Sequence, residues 1–474
     1  MSQAFPDKGK GQDEILAGLT DQKTHDLKSD GHAFAFVYDA GQELRDLARQ
    51  AFASCMTING LDPTAYPSAR RIENTVVKAM LELLGAPEGA VGTATAGGTE
   101  SVMLAVKSCR DYFASKTKSP KMLLPETAHA CFHKAAHYFG VEVVPVDVDP
   151  VTFRADVEDA RRKMDDDVIL VVGSAPSYAH GVVDPIEDLA ALAQEHGVNM
   201  HVDACVGGLI LPFMRENGED LPAFDFSVEG VTSISADLHK YGFAPKGISV
   251  VLQRRRDLRD AQYYACANWS GYAIVNATTL GSKSVAAMGA ASAIIHRLGR
   301  EGYRERVAKM WDATKKVVAA IDAIDELEMV GRPDTNLLAF KTKKGDLFEL
   351  SDRLEESGWH VQPTYSFGRS PAHIHLTLDP GNADNADRFI DDLKKSVKDL
   401  PEAQEPPAAI VQMLTAVVGA GPGEGVDAGE LMTMLGITDG RLPERAGAIH
   451  RILEAAPPPV REQLLILFVG ELFT

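Results

Sequence analysis

Cysteine is scarce and scattered. The 474 residues hold five (Cys55, Cys109, Cys131, Cys205, Cys266), an odd number with no CxxC pair. That excludes a disulfide framework as the organising device, and a reducing cytoplasm is the expected compartment. Long apolar runs are missing too. The best, Val168–Val172 and Leu464–Val469, fall well short of the ~18 residues a membrane span needs, so no integral membrane segment is expected. Residues 1–11 are polar with no apolar core, which argues against a secretory signal. Positive charge is in deficit: 48 Lys and Arg against 67 Asp and Glu leave a net charge of −19. That balance argues against nucleic acid, or an anionic membrane surface, as the main partner. The remaining composition, 45% hydrophobic and 24% charged, is that of a soluble globular protein able to bury a large core. At about 150 residues per domain, the length suggests two or three domains.

Residues 1–35 are polar and charged and read as an arm or a lightly packed helix. After the two-proline loop Asp62–Pro67, the recurrence of Ile72, Val76, Met80 and Leu84 predicts a helix that Gly85 stops. Between about 90 and 255 the pattern changes. Short β-rich runs (122–124, 141–146, 168–172, 198–202, 231–235, 248–252) alternate with helical ones such as 128–139 and 186–196. Such alternation predicts βα units and a largely parallel sheet covered on both faces. Ligands of such sheets sit beyond the carboxyl ends of the strands. A long helix is expected after Ser282, then a second unit near 325–400 with a helix at Asp346–Ser357 and a strand at Ala372–Leu378. Pro, Gly and Ala crowd residues 401–427, which read as a linker before a small helical tail. The expected division is an N-terminal segment (1–60), a large domain (61–300), a small domain (301–400) and the linker with its tail (401–474).

Four places near strand ends carry polar residues that a core would not choose. Ala96-Gly-Gly-Thr-Glu-Ser101 opens a helix. Its glycines let backbone approach a ligand and the helix start offers N–H groups to a phosphate, although a plain turn with Thr99 as N-cap fits as well. Asp203 ends an apolar strand, either as a cap or facing a ligand cation. Lys240, in Ser235-Ala-Asp-Leu-His-Lys-Tyr-Gly-Phe-Ala-Pro-Lys-Gly247, follows a β-branched run. In a partly dry pocket it loses its proton more readily and attacks a carbonyl; at a surface it only snorkels. His129, at a helix entrance, is a cap or a ring that stacks on a flat cofactor. A phosphate cradle, an acid for a ring nitrogen, a lysine for an aldehyde and a stacking ring together match what pyridoxal 5′-phosphate requires. Two further features carry no site, and no metal is expected. His373 and His375 share a strand face without a third ligand, and Asp165-Asp-Asp167 reads as a solvated turn.

His201-Val-Asp-Ala-Cys-Val-Gly-Gly-Leu-Ile-Leu-Pro-Phe-Met214 and Val231–Gly247 closely resemble the sphingosine-1-phosphate lyases, in the group II decarboxylase branch of the fold-type I pyridoxal-phosphate enzymes. Gly97–Ser101, Thr127–Lys134 and His180–Pro185 add to the likeness, which spans about residues 35–400. The resemblance implies an aspartate aminotransferase-like α/β fold, with a mainly parallel seven-stranded sheet and a small α+β C-terminal domain. It implies that Lys240 carries pyridoxal phosphate covalently, Asp203 pairs with the ring nitrogen and His129 stacks on the ring. Gly97, Gly98, Thr99 and His239 are implied to bind the phosphate, joined by the Gly281-Ser282 turn of the second subunit of a homodimer. Lys246 is implied to assist near the reacting centre, and Tyr38, His133 and Lys283 to meet the substrate. Lys283 stands where the family has arginine, Ile274 where it has tyrosine, His133 where asparagine and Asp62 where histidine is usual, and Ile410-Val-Gln-Met413 where tyrosine and glycine are common. Cofactor positions are kept while substrate-side positions drift.

The implied reaction cleaves the C2–C3 bond of a phosphorylated 2-amino alcohol, a small-molecule or lipid phosphate, to an aldehyde and phosphoethanolamine. An amino-acid decarboxylase on the same scaffold is the alternative, with Arg369 or Lys283 anchoring a carboxylate. A binding protein that merely kept the fold has no need of Lys240, Asp203 and His129 together.

Overall fold

The computed structural model describes residues 5–406 and 445–473, with 408, 410–412, 414, 437 and 443 between them. Helix α1 (Gln12–Asp21) buries none of its side chains, in keeping with a polar opening segment. Helices α2 (Gln42–Cys55) and α3 (Pro67–Leu83) follow; α3 buries Val76, Val77 and Met80 and gives way to Gly85, whose φ of +63° continues no right-handed helix.

One seven-stranded sheet comes next. Its strands are β1 (Val91–Thr95), β2 (Lys121–Pro125), β3 (Glu142–Val146), β4 (Val168–Ser174), β5 (Asn199–Asp203), β6 (Ser233–Ala236) and β7 (Ser249–Gln253). They lie in the order β1-β7-β6-β5-β4-β2-β3. Strands β2 to β6 pair in parallel, and β7 runs antiparallel to both its neighbours. Helices α4 (Gly98–Tyr112), α5 (Cys131–Phe139), α6 (Val157–Lys163), α7 (Ile186–Glu195) and α8 (Leu211–Glu216) lie between strands along the chain. β4, β5 and β7 are buried along their whole length. A strand covered on both faces needs no polar alternation, which is why Val168–Val172 is uniformly apolar. The connection from β6 to β7 contains no helix, so nothing carries the chain back across the sheet for a parallel entry. Lys240 sits in that connection.

Beyond α9 (Arg256–Asp260) come a hairpin, β8 (Tyr264–Cys266) with β9 (Ile274–Asn276), and the long helix α10 (Ala286–Asp322), broken at Gly299. Gly289 lets α2 lie close along α10: a Cβ there would meet Cys55 Sγ at 2.5 Å. A second, antiparallel sheet is built from β10 (Leu327–Met329), β11 (Leu337–Thr342), β12 (Gln362–Thr364) and β13 (His373–Thr377), in the order β10-β11-β13-β12. The later part of α10 packs on it with α11 (Leu347–Glu356) and α12 (Ala386–Ser396). Phe340, Trp359 and Phe389 fill this core, and so does Phe34 from the N-terminal segment. The Phe34 N–H donates to His360 O at 2.8 Å, and its carbonyl accepts from Thr377 N–H at 2.7 Å. The polar arm expected over residues 1–35 therefore ends by about Asp30, after which the chain is woven into the small unit. Helices α13 (Gly447–Ala455) and α14 (Pro458–Leu472) close the described chain. Most of the linker expected at 401–427, with Met413, lies outside the described residues. Among the described residues no helix is long and apolar enough to cross a membrane.

Candidate active site

The loops after β1, β2, β4, β5 and β6 open on one edge of the sheet, where carboxyl ends of co-directed strands meet. They line a cleft of about 520 Å³. Gly97, Gly98 and Thr99 come from the start of α4 and His129 from the turn before α5. Ser174 and Tyr178 come from the end of β4 and beyond, Asp203 and Cys205 from β5, and Asp237, His239 and Lys240 from beyond β6. Strand register sets Ser174, Asp203 and Ser235 abreast. Asp203 Oδ1 accepts the Cys205 N–H at 3.0 Å and the Ser235 hydroxyl at 3.4 Å; among the described residues Oδ2 has no hydrogen-bond partner. The buried Ser174 hydroxyl is also unpartnered. An unpaired buried polar group costs of order 1–3 kcal/mol, so such groups mark where a ligand atom completes the network.

Lys240 Nζ lies 3.0 Å from Asp237 Oδ2. Burial opposes the ammonium, but the Asp237 carboxylate outweighs it and holds Lys240 above the ordinary lysine range. Burial likewise opposes the Asp237 charge, and Lys240 and His239 overcome it, so this carboxyl stays below its usual range. Lys246 is the opposite case. Although the residue as a whole is exposed, desolvation of its amine first, and the Lys240 charge second, push it down to about 8. Its Nζ sits 4.4 Å from the Tyr38 ring centroid and donates to His239 O at 3.3 Å. An amine in that range is partly neutral near physiological pH and able to accept a proton. Burial pushes the Cys131 and Cys205 thiols well up, which excludes a thiolate nucleophile here. His129 Nδ1 accepts the Cys131 N–H at 3.2 Å, which fixes the ring's orientation and, among the described residues, leaves Nε2 as the free ring nitrogen.

The fold thus gathers Gly97, Gly98, Thr99, His129, Asp203, His239 and Lys240 in one cleft, with Lys246 and Tyr38 beside it. It does not bring the other expected residues there within one chain. Gly281 and Ser282 are exposed. His133 is exposed on α5, whose buried face is Cys131, Phe132, Ala135 and Ala136; helical spacing turns position 133 outward. Lys283 lines a separate cavity of about 800 Å³ together with Asp62 and Ile274, its Nζ 3.7 Å from Glu73. Three of the drifting positions therefore share one cavity. His375 is buried within hydrogen-bonding distance of Ala179 O and Thr377 Oγ1, and among the described residues no three potential ligands gather for a metal.

Sequence reasoning missed Asp237, Ser174, Tyr178 and the fixing role of Glu100. Glu100 Oε2 accepts the Ala96 N–H at 2.6 Å and Oε1 the Thr279 N–H at 2.8 Å, tying the glycine loop to the segment before Gly281. Asp237, three residues before Lys240 inside the quoted motif, was the one with a readable signal.

Pyridoxal phosphate suits these groups. The start of α4 offers unpaired N–H donors to a phosphate. Gly98 leaves no room for a side chain, since a Cβ would lie 2.7 Å from both Asp237 oxygens. The open Asp203 oxygen, the unpartnered Ser174 hydroxyl and the Lys240 amine face the same space. Residues 2–343 match the pyridoxal-dependent decarboxylase conserved domain. The chain belongs to this family. It is a pyridoxal-phosphate-dependent lyase of the fold-type I architecture, with the mainly parallel seven-stranded sheet that the resemblance implied. Residues 392–471 match a second model, the C-terminal putative HTH domain of pyridoxal-dependent enzymes. A sphingosine-1-phosphate lyase of Arabidopsis thaliana is 39% identical over 431 residues, covering 88% of this chain and 77% of that protein. A probable L-aspartate decarboxylase of Pyrococcus abyssi is 33% identical, covering 83% of this chain and 99% of that one. The solved sphingosine-1-phosphate lyase of Burkholderia pseudomallei superimposes with a TM-score of 0.80 at 32% identity, over 84% of this chain and 93% of that chain.

Proposed function

We propose that this lyase works in the cytoplasm on a phosphorylated long-chain 2-amino alcohol, breaking its C2–C3 bond to release an aldehyde and phosphoethanolamine. The observation that carries the reading is the second lysine, Lys246, with its Nζ 4.4 Å from the Tyr38 ring centroid beside Lys240, in a chain 39% identical to a sphingosine-1-phosphate lyase. Bound in the cleft, pyridoxal phosphate supplies an aldehyde that bonds to amines and a ring that accepts the electron pair of a breaking bond. The chain's own residues do the rest. Lys240 holds the group and yields it to the substrate's amine. Asp203 keeps a proton on the ring nitrogen, His129 covers the ring face, and His239 with the Gly97–Thr99 N–H groups grips the phosphate. Lys246 takes the proton of the C3 hydroxyl. In this division residues 61–300 hold the cofactor and 301–400 form the small domain, flanked by the N-terminal segment and the linker with its tail.

A product assay over phosphorylated amino alcohols and amino acids tests the substrate. Aldehyde is expected from a long-chain phosphorylated amino alcohol, and little carbon dioxide from aromatic or acidic amino acids. The Pyrococcus abyssi relative favours a second reading, amino-acid decarboxylation. That reading needs a cation free to hold a carboxylate, yet Arg369 is paired with Asp147 at 2.7 Å and Lys283 lies near Glu73. Robust decarboxylation with no aldehyde from any amino-alcohol phosphate would replace the first reading with the second.

The reading includes a homodimer. Near Gly281-Ser282, the side chains of Tyr264, Trp269, Tyr272, Val275 and Leu280 are 44–65% exposed, an apolar surface of the kind that marks an interface. A second copy covering it brings Ser282, and the cavity of Asp62, Ile274 and Lys283, to the neighbour's cleft. Light scattering is expected to find a dimer, consistent with an interface beyond about 2,000 Å². A fully active monomer at assay concentration overturns this.

A further inference from the structure

Asp237 has no part in the reaction as described, yet it is built tightly into the cleft, with its side chain only 2% exposed. Oδ1 accepts the Ser249 hydroxyl at 2.6 Å; Ser249 Oγ lies 3.0 Å from Ser101 Oγ, itself 2.7 Å from Thr95 Oγ1. Oδ2 is 3.0 Å from Lys240 Nζ and 3.6 Å from His239 Nε2. Gly98 closes against both oxygens. The carboxylate is thus anchored at one oxygen, walled in by a glycine and aimed at the reacting nitrogen with the other.

The titratable groups facing Lys240 are Asp237, Cys205, Tyr38, Asp203, His239, Cys131 and Tyr178, with Lys246 nearby. Cys205, Cys131, Tyr38 and Tyr178 are neutral groups whose burial keeps them so, and burial holds the His239 ring below the usual imidazole range as well. Lys246 opposes a positive charge, and its Nζ leans on the Tyr38 ring. Among the described residues Asp237 is the carboxylate in ion-pair contact with Lys240.

We propose that Asp237 is the counter-ion that keeps a proton on the Lys240 nitrogen, both in the free amine and after that nitrogen bonds to the cofactor. A positively charged nitrogen makes the carbon bonded to it a better acceptor of the substrate's incoming amine, so Asp237 is a positioning residue for the exchange. His239 Nδ1 donates to Ile248 O at 2.9 Å, which turns Nε2 toward the same carboxylate. The proposal rests on pyridoxal phosphate and Lys240 being as assigned.

The visible band of the cofactor-loaded protein reports the proton on that nitrogen, so its loss can be titrated. Asp237→Asn is expected to move the midpoint down by about one to three pH units, the effect of removing an adjacent opposite charge. Ser249→Ala disturbs the same network but leaves the charge, and its midpoint is expected not to fall. A second measurement needs no variant. In protein stripped with hydroxylamine, acylation of Lys240 mapped by mass spectrometry is expected to titrate above the ordinary lysine value of about 10.4. An unmoved midpoint in Asp237→Asn, an equal fall in Ser249→Ala, or an ordinary or lower midpoint for stripped Lys240 overturns the proposal. Absence of any visible band in the unaltered protein instead removes the cofactor assignment beneath it.

Discussion

Lys240→Ala is expected to lower turnover by about 10⁴-fold or more, because the lost amine both holds the cofactor and moves protons. No neighbour can stand in. Lys246 is six residues along the same loop, with its Nζ by His239 O and the Tyr38 ring, where it serves the C3 hydroxyl instead. Tyr241, the next residue, pins the loop by donating to Leu378 O at 2.8 Å from across the unit boundary, so the backbone has little freedom to offer Lys246 instead. Borohydride reduction followed by peptide mapping checks the assignment directly. The reduced cofactor is expected on Lys240 and absent from that position in the alanine variant. Finding it on Lys246 overturns the assignment.

What could be read from the amino acids alone divides along physical lines. Alternating β-rich and helical runs are a local signal, and they located β2 to β7 with helices α5 and α7 because each run must bury its own apolar side chains. Strand-end residues were legible for a related reason: Asp203 after Asn199-Met-His-Val and Lys240 after Val231–Ser235 break apolar runs that need no polar ending. The reversal of β7 is not written in the strand itself, since a buried strand has the same composition in either direction; its mark is the helix-free connection before it. Phe34 looked like part of a polar arm because its partners, Trp359 and Phe389, lie more than three hundred residues away. The likeness implies His133 at the substrate, and the spacing of Cys131, Phe132, Ala135 and Ala136 puts it on the outer face of α5, exposed within one chain. Ser174 and Tyr178 gain their place from β4 lying beside β5, a fact of topology that no motif carries.

Asp203→Asn tests the other end of the cofactor. The substitution keeps the shape of the side chain, and the amide oxygen can still accept the Cys205 N–H that now bonds Oδ1 at 3.0 Å. What changes is Oδ2, the oxygen without a partner among the described residues, which becomes a neutral N–H donor. A ring nitrogen facing a donor gives up its proton, and an uncharged ring draws electrons from a breaking bond poorly. Cofactor content is therefore expected to hold while kcat falls by about 10²-fold or more, at least roughly 2.7 kcal/mol of barrier. Since the charge acts on the breaking bond rather than on substrate binding, kcat and kcat/KM are expected to fall together with KM little altered. A loss under about tenfold, near 1.4 kcal/mol, would reduce this carboxylate to a cap for the turn at Cys205. Loss of cofactor in step with activity would instead make this carboxylate an anchor for the cofactor rather than a group that tunes its ring. Asp203 and Asp237 then separate in one experiment: the first is expected to slow the bond-breaking step without lowering the visible band's pH midpoint, the second to lower that midpoint.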